Sequence, residues 1–151
     1  MPTVVMTHGA FCGGWAFEGF RAPFEARGWR VLSPDLPGHG VGGSVAGLSM
    51  ADYATSIVKL CAGLPEPPVL LGHSMGGLVC QLAARRAKAR GLVLLGPSPP
   101  WGVAGSSIEE AITAFGVHLA DPFWGGAVPP DRHIMRHHSL DRTPKAVREL
   151  V

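Results

Sequence analysis

Charge is scarce in this chain, and cysteine is scarcer. Only 16% of the 151 residues are Asp, Glu, Lys or Arg, and the formal net charge is +2. No cluster of lysines and arginines is interleaved with aromatics, so neither nucleic acid nor an anionic membrane is an expected partner. The nearest thing to a basic run, Arg85-Arg86-Ala87-Lys88-Ala89-Arg90, falls where a helix is expected to end and complements its dipole. Cys12, Cys61 and Cys80 are odd in number, widely spaced and without a C-x-x-C pair. That argues against a disulfide framework and a cysteine zinc site, and points to a reducing compartment. No apolar stretch approaches the ~20 residues that cross a bilayer. The first residues run from Met1-Pro2 straight into strand-like Thr3-Val4-Val5-Met6-Thr7, without the regions of a signal peptide. The expected setting is therefore the cytoplasm.

What the chain does have is apolar content, at 46%, enough to bury the core of one domain. Four short apolar runs recur with room for a helix between them: Thr3 to Thr7, Arg30 to Ser33, Val69 to Leu71 and Leu92 to Leu95. Such alternation predicts an α/β fold, a parallel sheet of about four strands with helices on both faces. The first helical segment is Trp15 to Arg27. The second opens on a Ser49/Asp52 capping box and carries Tyr53, Ile57 and Leu60, and the third ends near Gly91. After Leu95 the pattern changes to helices only. Ser107 and Glu110 can cap one with Ile108, Ile112, Phe115 and Leu119 on a stripe, a shorter piece follows Pro129-Pro130, and Thr143-Pro144 opens another that continues to Val151.

The chemistry concentrates at Gly72-His73-Ser74-Met75-Gly76-Gly77, between the run Val69-Leu70-Leu71 and the helical Leu78 to Ala84. A strand, a sharp turn and a helix with serine at the apex lift a hydroxyl above the sheet. The next backbone N–H and the helix N-terminus then face any developing negative charge. Gly-x-Ser-x-Gly alone is weak in a chain with 21 glycines; the strand before it and the helix after it make it specific. A second glycine-rich loop, His8-Gly9-Ala10-Phe11-Cys12-Gly13-Gly14, follows the first strand. If that strand neighbours the third, the N–H groups of Ala10 and Met75 can converge on one oxygen beside Ser74.

Together with Ser33-Pro34-Asp35-Leu36-Pro37-Gly38-His39-Gly40, these motifs resemble the α/β-hydrolase superfamily, in its serine-nucleophile esterase branch. The resemblance covers residues 3 to about 95. It implies a sheet in the order second, first, third, fourth strand over residues 1–96, and a helical cap segment over 97–151. It implies Ser74 as nucleophile and Ala10 and Met75 as oxyanion donors. Gly72, His73, Gly76, His8 and Gly9 are then structural residues of the elbow and oxyanion loop, as are Asp35 and His39 in their own turn.

The superfamily places an acid and then a histidine on loops after later strands. No strand-like run follows Leu95, so these groups are expected outside the segment, in about 60 to 100 further residues at ~30 per βαβ step. The 151 residues are thus expected to be the N-terminal part of a larger hydrolase or the product of a truncated gene. His133, His137 and His138, with Asp121, Asp131 and Asp141 near them, are weaker candidates, because a base must lie within ~3 Å of the hydroxyl, and His118 reads as a partly exposed cap residue. His133 and His137 have i, i+4 metal spacing. Ile134 stands where H-E-x-x-H has its glutamate and no third ligand is evident, so neither metal nor cofactor is expected. Trp101, Phe115, Phe123 and Trp124 suit either a substrate wall or ordinary packing, and Cys12 a small apolar filler.

The expected reaction is hydrolysis of a small, uncharged or mildly hydrophobic ester through an acyl-enzyme. The alternatives are a catalytically incomplete module of the same fold and a hydroxynitrile-lyase-type activity. An exposed apolar edge at the fourth strand would favour self-association.

Overall fold

The computed structural model describes residues 1–100, 103, 129–140 and 143–148. The chain divides into two compact units, Met1–Gly102 and Val103–Val151.

The first unit is a four-stranded parallel sheet: β1 (Thr3–Thr7), β2 (Arg30–Leu32), β3 (Val69–His73) and β4 (Gly91–Leu95), in the order β2-β1-β3-β4. Alternate residues of a strand point to opposite faces, and the core divides accordingly. Val4, Met6, Val31 and Leu71 pack with Phe17 of the 3-10 turn Gly14–Phe17, which leads into α1 (Glu18–Glu25). Val5 and Leu70 pack on the other face with Tyr53, Ala54, Ile57 and Cys61 of α2 (Met50–Ala62) and Val79, Cys80 and Ala83 of α3 (Met75–Ala84).

Local signals account for the helix boundaries. Ser49 caps α2 in a reciprocal box: its side chain accepts from the Asp52 N–H while the Asp52 carboxylate accepts from the Ser49 N–H at 2.9 Å. Gly63 ends it. Helix α3 stops at Ala84, short of the expected end near Gly91, because the chain turns through Arg85–Lys88 with Lys88 at φ 51°. The basic residues there continue the charge of a helix end, but only Arg85 is a cap.

Pairing of Thr7 with Gly72 brings the carboxyl ends of β1 and β3 side by side, so the loops that leave them start as neighbours. Leu92, Val93 and Leu94 of edge strand β4 are exposed. In the second unit a single helical turn, Arg132–Ile134, runs into a wider turn, Met135–Ser139, and Lys145–Arg148 begins another helix. The helix expected from Ser107, with Phe115 and His118, lies outside the described residues, as do Trp101, Asp121, Phe123, Trp124 and Asp141. Among the described residues, no helix is long and apolar enough to cross a membrane.

Candidate active site

Ser74 sits at the joint of β3 and α3 with φ 52° and ψ −124°. For a residue with a Cβ this backbone is disfavoured by on the order of 1–3 kcal/mol, so the surroundings must impose it. They do so by close backbone contact. A Cβ on Gly72 would collide with the carbonyl of Gly76, and one on Gly76 with the carbonyls of Thr7 and His8. Sequence around the serine is therefore dictated by β1 and α3 passing at backbone distance. The turn is pinned by hydrogen bonds as well: the Ser74 N–H donates to Leu95 O at 3.1 Å, and Ser74 O accepts from Gly77 at 2.9 Å and from Ser98 at 2.9 Å. The Gly96-Pro97-Ser98 exit from β4 thus braces the elbow, with Pro97 against Gly77. Met75 is the first residue of α3, where no intrahelical carbonyl reaches the N–H.

The loop after β1 lies against this turn. A Cβ on Gly9 would fall 3.3 Å from Ser74 Cβ and 3.3 Å from His73 Nδ1. His8, Gly9, Gly72, His73, Ser74 and Gly76 are thereby brought together. Ala10 follows on the exposed side of the loop, and Ser74 itself is half-buried.

This loop is held by side chains. The fully buried His8 ring accepts at Nε2 from the Leu36 N–H at 2.9 Å, and its Nδ1 is 2.8 Å from Gly9 O. Because Nε2 accepts, the ring proton is on Nδ1 and the imidazole is neutral. Burial lowers the His8 pKa and the neighbouring His39 lowers it further, against the opposing pull of the Gly9 carbonyl and Asp35. Asp35 accepts from the Gly14 N–H at 2.7 Å, closing the other end of the loop. Cys12 is half-buried with its thiol pKa raised by burial, so it is a poor thiolate.

Two contacts were not legible in advance. Tyr53, the chain's one tyrosine, is buried in the core cluster and its hydroxyl lies 3.3 Å from His39 Nε2. Its place on the apolar stripe of α2 was the available signal, since a buried phenol requires a partner. The other is the Ser98 N–H on Ser74 O, for which the local residue types give no signal.

Among the described residues no histidine is hydrogen-bonded to the Ser74 hydroxyl, and no group of three or more His, Cys, Asp or Glu could hold a metal. In the second unit the His133 and His137 rings are 4.5 Å apart, and the His133 N–H donates to Asp131 at 2.8 Å.

The chain is similar to known proteins. A pyrethroid hydrolase of Sphingobium wenxiniae is 34% identical over 96 residues, 61% of this chain and 34% of that protein. A pimeloyl-[acyl-carrier protein] methyl ester esterase of Aromatoleum aromaticum is 33% identical over 129 residues, 76% of this chain and 50% of its own. The chain therefore spans about a third to a half of the length of these curated relatives. The solved structure of an extracellular alpha/beta-hydrolase from a Paenibacillus species superposes with a TM-score of 0.80 over 99% of this chain and 64% of that one; at 19% identity it speaks for the fold alone. A model of the alpha/beta hydrolase family matches residues 4–150, and the chain belongs to that family.

Proposed function

We propose that this chain carries the nucleophile half of an ester hydrolase. Ser74 attacks the carbonyl of a small, uncharged or mildly hydrophobic ester, and the N–H groups of Ala10 and Met75 hold the tetrahedral oxyanion. The observation that carries this reading is the backbone of Ser74: a disfavoured conformation at a strand-to-helix joint, enforced by glycines and facing a second glycine loop. The similarity to a pyrethroid hydrolase and to a methyl ester esterase supports a hydrolase of this kind. The hydroxyl proton passes to a histidine outside the described residues, and collapse of the intermediate expels the alcohol and leaves an acyl-serine for water to cleave.

The test is to mix the chain with a short-chain p-nitrophenyl ester, quench in acid and map adducts by mass spectrometry. An acyl group on the Ser74 peptide, absent in Ser74→Ala, is the expected result. Acylation elsewhere, unaffected by the substitution, would refute the assignment.

A second reading, a non-catalytic module of the same fold that associates with itself, is favoured by β4, whose exposed Leu92, Val93 and Leu94 carry no charge, proline or bulge to protect an open edge. Concentration-dependent association reversed by Val93→Lys, without any acyl-serine, would support it over the first.

A further inference from the structure

Three aromatic groups connect helix α2 to the loop beside Ser74. Tyr53 is anchored in the core among Val5, Leu36, Ile57 and Leu70. Its hydroxyl meets His39 Nε2 at 3.3 Å, and the two ring centroids are 5.5 Å apart. The His39 ring in turn stands edge-on against His8, with centroids 4.9 Å apart and planes at 63°. His8 is the piece that joins the loops after β1 and β2, through Gly9 O on one side and Leu36 N–H on the other.

We propose that Tyr53 and His39 are positioning residues that keep His8 neutral with its proton on Nδ1, and that the Gly9–Gly14 loop is released when His8 takes a second proton. The catalytic consequence rests on the reading of Ala10 as an oxyanion donor; the clasp itself does not. The geometry leaves little alternative for the charged ring. A proton on Nε2 would set N–H against the Leu36 N–H, two donors facing each other in a buried site, so the clasp must open for the imidazolium to form. His39 packs against the fully buried ring, and Tyr53 meets His39 through its hydroxyl. The other titratable groups facing this site among the described residues are Asp35, on the same turn as Leu36, and His73 at the end of β3, which flanks Gly9. Asp35 favours the charged ring, while burial and His39 oppose it more strongly.

Ring-nitrogen NMR of the histidines, followed against pH in the full chain, reads the state of His8 directly, with amide exchange of residues 9–14 as the parallel readout. In the wild type His8 is expected to remain in the Nδ1–H form below pH 6.5, its ordinary midpoint. Tyr53→Phe and His39→Gln are expected to raise the His8 midpoint by about one unit, roughly a tenfold gain in proton affinity. Exchange of the Ala10 to Cys12 amides near pH 6 should rise with it, while Val5 and Leu70 stay protected. Folded variants with an unchanged His8 midpoint would overturn the proposal. Should either variant fail to fold, the wild-type series decides. Loop exchange that rises in step with His8 protonation while the strands stay protected supports the clasp, and exchange that rises across the whole sheet, or not at all, refutes it. No substrate enters these measurements, so failure of Ser74 to turn over ester and failure of the clasp are separate results.

Discussion

The two loops that meet at Ser74 are fixed by opposite means. The elbow after β3 is held by backbone against backbone: glycines at 72 and 76 and a carbonyl at 74 shared by N–H donors. The loop after β1 is held by side chains, His8 to Leu36 and Asp35 to Gly14. One device is steric and indifferent to pH, and the other is polar and sensitive to it. In the proposed reading each loop supplies one backbone N–H to the oxyanion, but the two fail under different insults.

Gly76→Ala should break the steric half most completely. Its methyl would overlap the carbonyls of Thr7 and His8, and a loss of more than about 4 kcal/mol is expected, a large share of an ordinary domain's stability. Gly42→Ala is the contrast, with a positive φ of 74° but open space around the added carbon, and should cost about 1 kcal/mol. Denaturant midpoints would separate the two; equal losses would show that the elbow is not sterically locked.

His8→Ala attacks the polar half. It strands the buried Leu36 N–H, and a loss of about 2–3 kcal/mol is expected by urea titration.

The pH dependence sharpens the contrast. His8 has its pKa lowered on folding, so the unfolded chain binds the extra proton first. Stability should be full above pH 6.5 and fall as the pH drops from there toward the folded-state value. The Asp52 carboxyl has its pKa lowered by the Ser49 hydroxyl, then by the Ser49 N–H, so its contribution is lost only as the pH falls below the ordinary 3.8. Stability measured from pH 8 to 3 should therefore show two separate losses, the upper one absent in His8→Ala. Ser49→Ala, which removes the α2 cap, should cost about 1 kcal/mol, as little as Gly42→Ala.

This contrast also explains what was legible in the sequence. The elbow is a local motif, six residues whose types follow from one close approach, so Ser74 and its glycines could be read directly. The α2 capping box was legible for the same reason. The sheet order followed from the superfamily resemblance and agrees with the observed β2-β1-β3-β4. The polar clasp was not legible, because its pairs are far apart in sequence: His8 with Leu36 at 28 residues, Gly14 with Asp35 at 21, His39 with Tyr53 at 14. Nothing in the local types specifies which loop a buried histidine will tie. The end of α3 was missed because arginine, alanine and lysine are all good helix formers, and only the left-handed Lys88 reveals the turn.

The most direct test of the central claim is steady-state turnover of p-nitrophenyl acetate by the purified chain beside Ser74→Ala, both shown to be folded by size exclusion and circular dichroism. The account expects turnover that depends on Ser74, falling by as much as roughly 10⁶ on substitution where the proton-accepting histidine is in place. Two folded proteins with indistinguishable rates would contradict it.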